Sequence, residues 1–173
     1  MTSDLVLHSL QASAPGGFQQ AGLVWKAYNK GYRLGTISSS DHGSTHISYA
    51  LVYTPSNERR AVLDSIHKRH TYGATDNIVL VFQANGRFMG DEFKTAERPH
   101  FSLQAIGTEK IAKVSLIRDN EYLYSTTPQQ EEIALEYTDE HPKTGQVALY
   151  YVRIEQTDGQ LAWSSPIWIT CTR

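Results

Sequence analysis

The chain has 173 residues, a formal net charge of -2 and a single cysteine, Cys171. That length is enough for one domain with a real core. The near-balanced charge provides no broad field toward nucleic acid or an anionic membrane, and one thiol excludes both a disulfide framework and a cysteine-based zinc cluster. No apolar run approaches the ~20 residues needed to span a bilayer. The N-terminal stretch has no basic start, and its apolar run Leu5 to Leu10 is interrupted by His8, so it is a poor export signal.

In chain order, residues 1–17 end in Ala-Pro-Gly-Gly, a loop signal, and residues 1–18 are expected to be a flexible lead-in. Residues 19–31 have partly helical spacing, with Gly31 as the stop. Residues 32–38 form a short extended run. Residues 47–53, ISYALVY, read as a buried strand. Ser56 is placed to cap a helix over 57–70, and Gly73 to end it in a left-handed conformation. Strand, loop, strand, helix is the texture of an α/β unit.

From Ile78 the pattern changes to strands and turns. The expected strands are 78–84, 100–107, 110–119, 131–138, 147–156 and 162–170. Asn85-Gly86 and Asp158-Gly159 supply hairpin turns. In 147–156, alternation separates Tyr150, Val152 and Ile154 from Leu149, Tyr151 and Arg153. Trp163 and Trp168 read as core side chains before a sugar-binding surface. Regular short strands over about 100 residues suggest an antiparallel β-sandwich.

Chemistry concentrates in residues 36–48, TISSSDHGSTHIS. Asp41, His42 and His46 are ligand types suited to zinc, manganese or iron, and a loop at the carboxyl end of a strand is where α/β folds place their sites. The plainer account is a turn whose serines and aspartate satisfy backbone groups. A second cluster, His67 to His70, sits at a helix end, where cations complement the dipole. The functional alternative is that Arg69, His70 and Tyr72 face a small anionic substrate. No nucleophile elbow or catalytic triad is present, so no catalytic residue is assigned.

Three stretches together carry a family likeness: KGYRLGTISSSDHGSTHISYA, RRAVLDSIHKRHTYGATDNIVLVF and LYYVRIEQTDGQLAWSSPIWIT. In this order they resemble the C-terminal part of PHP-type metal-dependent hydrolases in which a β-sandwich follows the barrel. The resemblance implies a phosphoesterase-like activity and a divalent metal site built from His, Asp and Glu. A late Asp-x-His motif of such proteins falls on Asp41, but Gly43 stands where the histidine belongs, so that role passes to His42 or His46 or is absent. The early His-x-His motif does not occur in the chain.

The resulting expectation is an α+β protein. Residues 1–75 would be a short α/β remnant of a PHP-like barrel, and residues 76–173 a β-sandwich. Functionally, the chain would be the C-terminal fragment of a metal-dependent hydrolase, catalytically incomplete by itself. The alternative is a non-catalytic β-sandwich module that binds carbohydrate or a protein partner. Neither nucleic acid nor membrane is expected as a partner; an unfinished barrel edge would invite a homodimer.

Overall fold

The computed structural model describes residues 23–40 and 47–173. The chain falls into two compact units, residues 1–33 and 34–173. In the first, helix α1 covers Val24–Asn29. It ends where the sequence places its stop: Gly31 has φ +85° and donates its N–H to the Tyr28 carbonyl at 2.8 Å.

The second unit is strand-rich. Its elements are β1 (Tyr49–Val52), α2 (Arg59–His67), β2 (Thr71–Ala74), β3 (Val79–Ala84), β4 (Arg87–Phe88), β5 (Glu92–Thr95), β6 (His100–Arg118), β7 (Glu121–Thr126), β8 (Gln130–Thr138), β9 (Val147–Gln156), β10 (Leu161–Ser164) and β11 (Ile167–Cys171). All eleven strands belong to one curled sheet. Every pairing is antiparallel except β5 with β11.

This overturns the expected fold. A barrel remnant needs parallel strands joined through a helical crossover. Here α2 joins β1 to β2, and those two strands run antiparallel, with Tyr49 opposite Ala74 and Val52 opposite Thr71. β2 then pairs with β10, so residues upstream and downstream of 75 share one sheet. With 51% strand and 10% helix, the protein is not an α/β remnant followed by a separate sandwich.

β6 organises the sheet. The sequence suggests two strands broken at Gly107, but the chain runs on for 19 residues. Its first half pairs with β3 and β8, its second with β7 and β9. The register shifts between Ile106 and Ile111, which is a bulge where the strand bends and changes partners. Gly107 is needed there, since a Cβ would collide with the Glu109 carbonyl and lie 2.5 Å from Gln156 Oε1. The buried Gln156 side chain accepts the Thr108 N–H at 2.9 Å and donates to Thr108 Oγ1 at 3.1 Å, tying the bulge to β9.

β10 and β11 act as one interrupted strand along β9. Pro166 has no N–H to give the ladder, and the run 162–170 breaks around it. Ser164 Oγ fills the gap by accepting the Val152 N–H at 2.9 Å. The Asn85-Gly86 turn closes β3 onto β4 with φ +48° and +74°, the combination a two-residue hairpin prefers.

The core lies inside the curl. Leu80, Phe82 and Ala84 of β3 meet Phe101, Leu103 and Ala105 of β6 and Tyr150, Val152 and Ile154 of β9. Trp168 is 1% exposed, which places it in the interior. The end of β8 is pinned by a buried carboxylate. Asp139 accepts from Arg118 Nη1 at 2.7 Å, from the Tyr150 hydroxyl at 2.9 Å and from the His141 N–H at 3.1 Å. That set of donors satisfies a charge that burial would otherwise make costly.

Candidate functional site

The polar loop enters along β2. Thr36 donates its N–H to Ser165 Oγ at 2.8 Å, and Ser165 is within 3.1 Å of Thr71 Oγ1. Gly73 allows this path. A Cβ there would overlap Ser38 Oγ and lie 2.8 Å from the Ser38 nitrogen. The glycine therefore serves a close crossing of two segments rather than the helix ending expected for it. The left-handed residue near that ending is Arg69, with φ +61°.

Ser40 closes the base of the loop. Its hydroxyl accepts the N–H groups of Ile47 at 3.0 Å and Ser48 at 2.9 Å, and donates to the Ser48 carbonyl at 2.9 Å. One side chain thus uses its full hydrogen-bonding capacity to hold residues 40 and 48 together. Asp41, His42 and His46, the expected metal ligands, lie outside the described residues. Among the described residues no three His, Cys, Asp or Glu side chains are grouped so as to hold a metal ion.

The expected substrate-facing trio takes two environments. Arg69 donates from Nε to the Gly90 carbonyl at 2.9 Å, and its guanidinium lies 5.2 Å from the centre of the Trp168 ring. His70 Nε2 is 3.2 Å from Asp91 Oδ1, and its ring meets Phe88 edge-on at 5.3 Å. Both side chains are engaged with the turn that follows β4. Tyr72 is buried and donates its hydroxyl to the Ile78 carbonyl at 3.0 Å. Burial pushes its pKa up to about 12, with the nearby Tyr53 hydroxyl adding to the rise.

Tyr72 also lines a groove, of about 460 Å³, that the sequence did not announce. Its wall is the consecutive run Tyr49 to Tyr53, and its other lining residues are Asn77 and Val79. The Tyr53 ring stacks on Tyr72 at 5.7 Å and meets Phe88 edge-on at 5.1 Å. Burial raises the Tyr53 hydroxyl pKa as well. β1 is consequently not a buried central strand. Among the described strands it pairs with β2 alone, which makes it an edge. The available signal was the run 47–57, which contains no charged residue.

The class these features define is a strand-rich unit of one curled sheet, with an anchored polar loop and an aromatic groove side by side along β1. No family model matches the chain. Uncharacterised proteins of Chlamydia trachomatis and Chlamydia muridarum are each 34% identical to it over 128 residues, and one of Chlamydia pneumoniae is 31% identical over 128. Each match covers 64% of this chain and 21% of the relative, so the chain spans about a fifth of the length of the curated relatives it matches. Among the described residues no helix is long and apolar enough to cross a membrane.

Proposed function

We propose that the chain is the strand-rich part of a longer metal-dependent, phosphoesterase-like hydrolase acting on a small anionic substrate, and that it is catalytically incomplete by itself. The observation that carries this reading is the Ser40 clasp. A ligand loop works only if its ends are held, and three hydrogen bonds from one hydroxyl fix the ends of the segment containing Asp41, His42 and His46. The length of the relatives supports it, since four-fifths of each lies outside the match. One carboxylate and two imidazoles suit zinc, manganese or iron. The remaining ligands would come from another part of the polypeptide. The proposal includes the homodimer expected from the sequence.

The test uses manganese(II) as a paramagnetic probe, because a partial site that binds too weakly to survive purification still broadens nearby resonances. Selective broadening of the His42 and His46 signals, abolished by Asp41→Asn, is the expected result. Broadening that is unchanged in Asp41→Asn, or none at the two histidines, would count against the reading.

The groove favours a second reading, a non-catalytic module that binds carbohydrate or a protein partner. Tyr49 and Tyr53, backed by the buried Tyr72, give it the aromatic surface such binding uses. Titration with oligosaccharides, followed through the tyrosine ring resonances, tests it. Shifts confined to these three residues are expected, and no shift speaks against a sugar.

A further inference from the structure

Sheet edges are dangerous to leave bare, because unpaired N–H and C=O groups template another strand. Two edges of this sheet are treated in opposite ways. β8 pairs only with β6 among the described strands, and it displays Glu131, Glu132 and Glu136, all exposed. A second copy approaching there would bring like charges together. β1 carries no charge, no proline and no bulge. Ile47 just before it is 60% exposed, and Val79 across the groove is 43% exposed.

The direction of the free groups follows from the ladder. The Tyr53 N–H donates to the His70 carbonyl at 2.9 Å, on the β2 side. Alternation in an antiparallel pair then turns the N–H and C=O of Tyr49 and Leu51 toward β2, and those of Ala50 and Val52 outward. An edge with two outward residues separated by one is self-complementary. In a two-fold antiparallel pairing centred on Leu51, Ala50 faces Val52 of the partner subunit, and Val52 faces Ala50 of the partner subunit. Both are hydrogen-bonded pairs, so four backbone bonds form. Tyr49 then lies beside Tyr53 of the partner subunit, with Leu51 against its own copy. These are the closer, non-hydrogen-bonded positions, where side chains meet best. The same residues form the groove wall, so pairing fills the groove with apolar and aromatic groups.

We infer that β1 is the surface on which a second copy of this chain docks, by antiparallel strand pairing centred on Leu51. The inference rests on the homodimer reading above and not on the metal reading. A second copy meets no like-charge repulsion over 47–57, unlike at β8, and finds a register in which its own outward groups are satisfied.

The experiment is sedimentation equilibrium of the wild-type chain, Ala50→Pro and Ala50→Lys. Proline at position 50 removes an N–H that points away from β2, so the β1–β2 ladder is kept. If that variant fails to fold, the lysine variant carries the test by placing like charges at the pairing edge. The wild-type mass should rise with concentration from 19.4 kDa toward twice that value. Both variants should stay at the single-chain mass, with unchanged circular dichroism and the thermal midpoint that the wild type shows at dilutions where it is dissociated. Variants that dimerise as the wild type does would overturn the β1 assignment while leaving the homodimer standing. A wild-type chain that stays at 19.4 kDa at every concentration would overturn both, and leave the edge to a strand of another polypeptide.

Discussion

β1 and β8 are both edge strands of one sheet among the described residues, and they differ in what guards them. β8 is defended by carboxylates and pinned at its end by Asp139, which draws Arg118 of β6 and Tyr150 of β9 onto one buried group. β1 is undefended and held at its start by a serine clasp on a polar loop. A like-charged edge repels a second strand, whereas an uncharged edge raises no such barrier. In this chain the uncharged edge also begins next to the loop with the richest ligand chemistry, so one short region carries both functional proposals.

The comparison breaks most severely if the β8 anchor is removed. Asp139→Ala leaves the buried Tyr150 hydroxyl without its acceptor and Arg118 with the His141 carbonyl in place of its counter-charge, and should cost ~3–5 kcal/mol. A lowered urea midpoint is the readout, with exchange of β8 amides accelerated before those of β2. A smaller loss is expected on the β1 side from Gly73→Ala. The added methyl overlaps Ser38, so the crossing segment must shift, at about 1–3 kcal/mol. Faster exchange of the Ile47 and Ser48 amides would show that the clasp loosened with it.

The floor of the β1 groove gives a pH test. Tyr72 has its pKa raised from 10.0 to about 12 by burial. The folded state therefore holds this proton more tightly than the unfolded chain does. Its contribution is complete below pH 10 and is lost as pH rises from 10 toward 12. Urea midpoints measured on both sides of that window should fall more steeply for the wild type than for Tyr72→Phe. Equal slopes would mean the hydroxyl is not protected by the groove. The smallest effect on stability is expected from replacing Glu131, Glu132 and Glu136 with threonine. Each surface change should stay within about 0.5 kcal/mol. The consequence should appear in association instead, as a second self-pairing edge visible by light scattering.

Much of the sheet could be read from the sequence because alternation is a local signal. The strand 147–156 falls on its expected bounds, and the Asn85-Gly86 hairpin forms where turn chemistry places it. What failed depended on distant partners. Gly107 with the polar residues after it looks like a turn, yet Gln156 holds it as a bulge inside one strand. The sequence around α2 has the rhythm of an α/β unit, and only the pairing of Tyr49 with Ala74 shows that the chain returns antiparallel. Asp139 sits in a polar stretch that reads as surface, since its partners Arg118 and Tyr150 are remote in sequence. Within the candidate site, the serine-rich character of the loop was plain. That Ser40 is the residue closing it, and that Tyr49, Tyr53 and Tyr72 share a groove, required the fold.

The most direct measurement of the undefended edge is amide hydrogen exchange at Ala50 and Val52 in dilute and concentrated solutions of the wild-type chain. If β1 pairs with a second copy, these two amides are slowed at high concentration, while Leu51, already bonded to β2, keeps its rate. Exchange at Ala50 and Val52 that does not change with concentration would contradict the account.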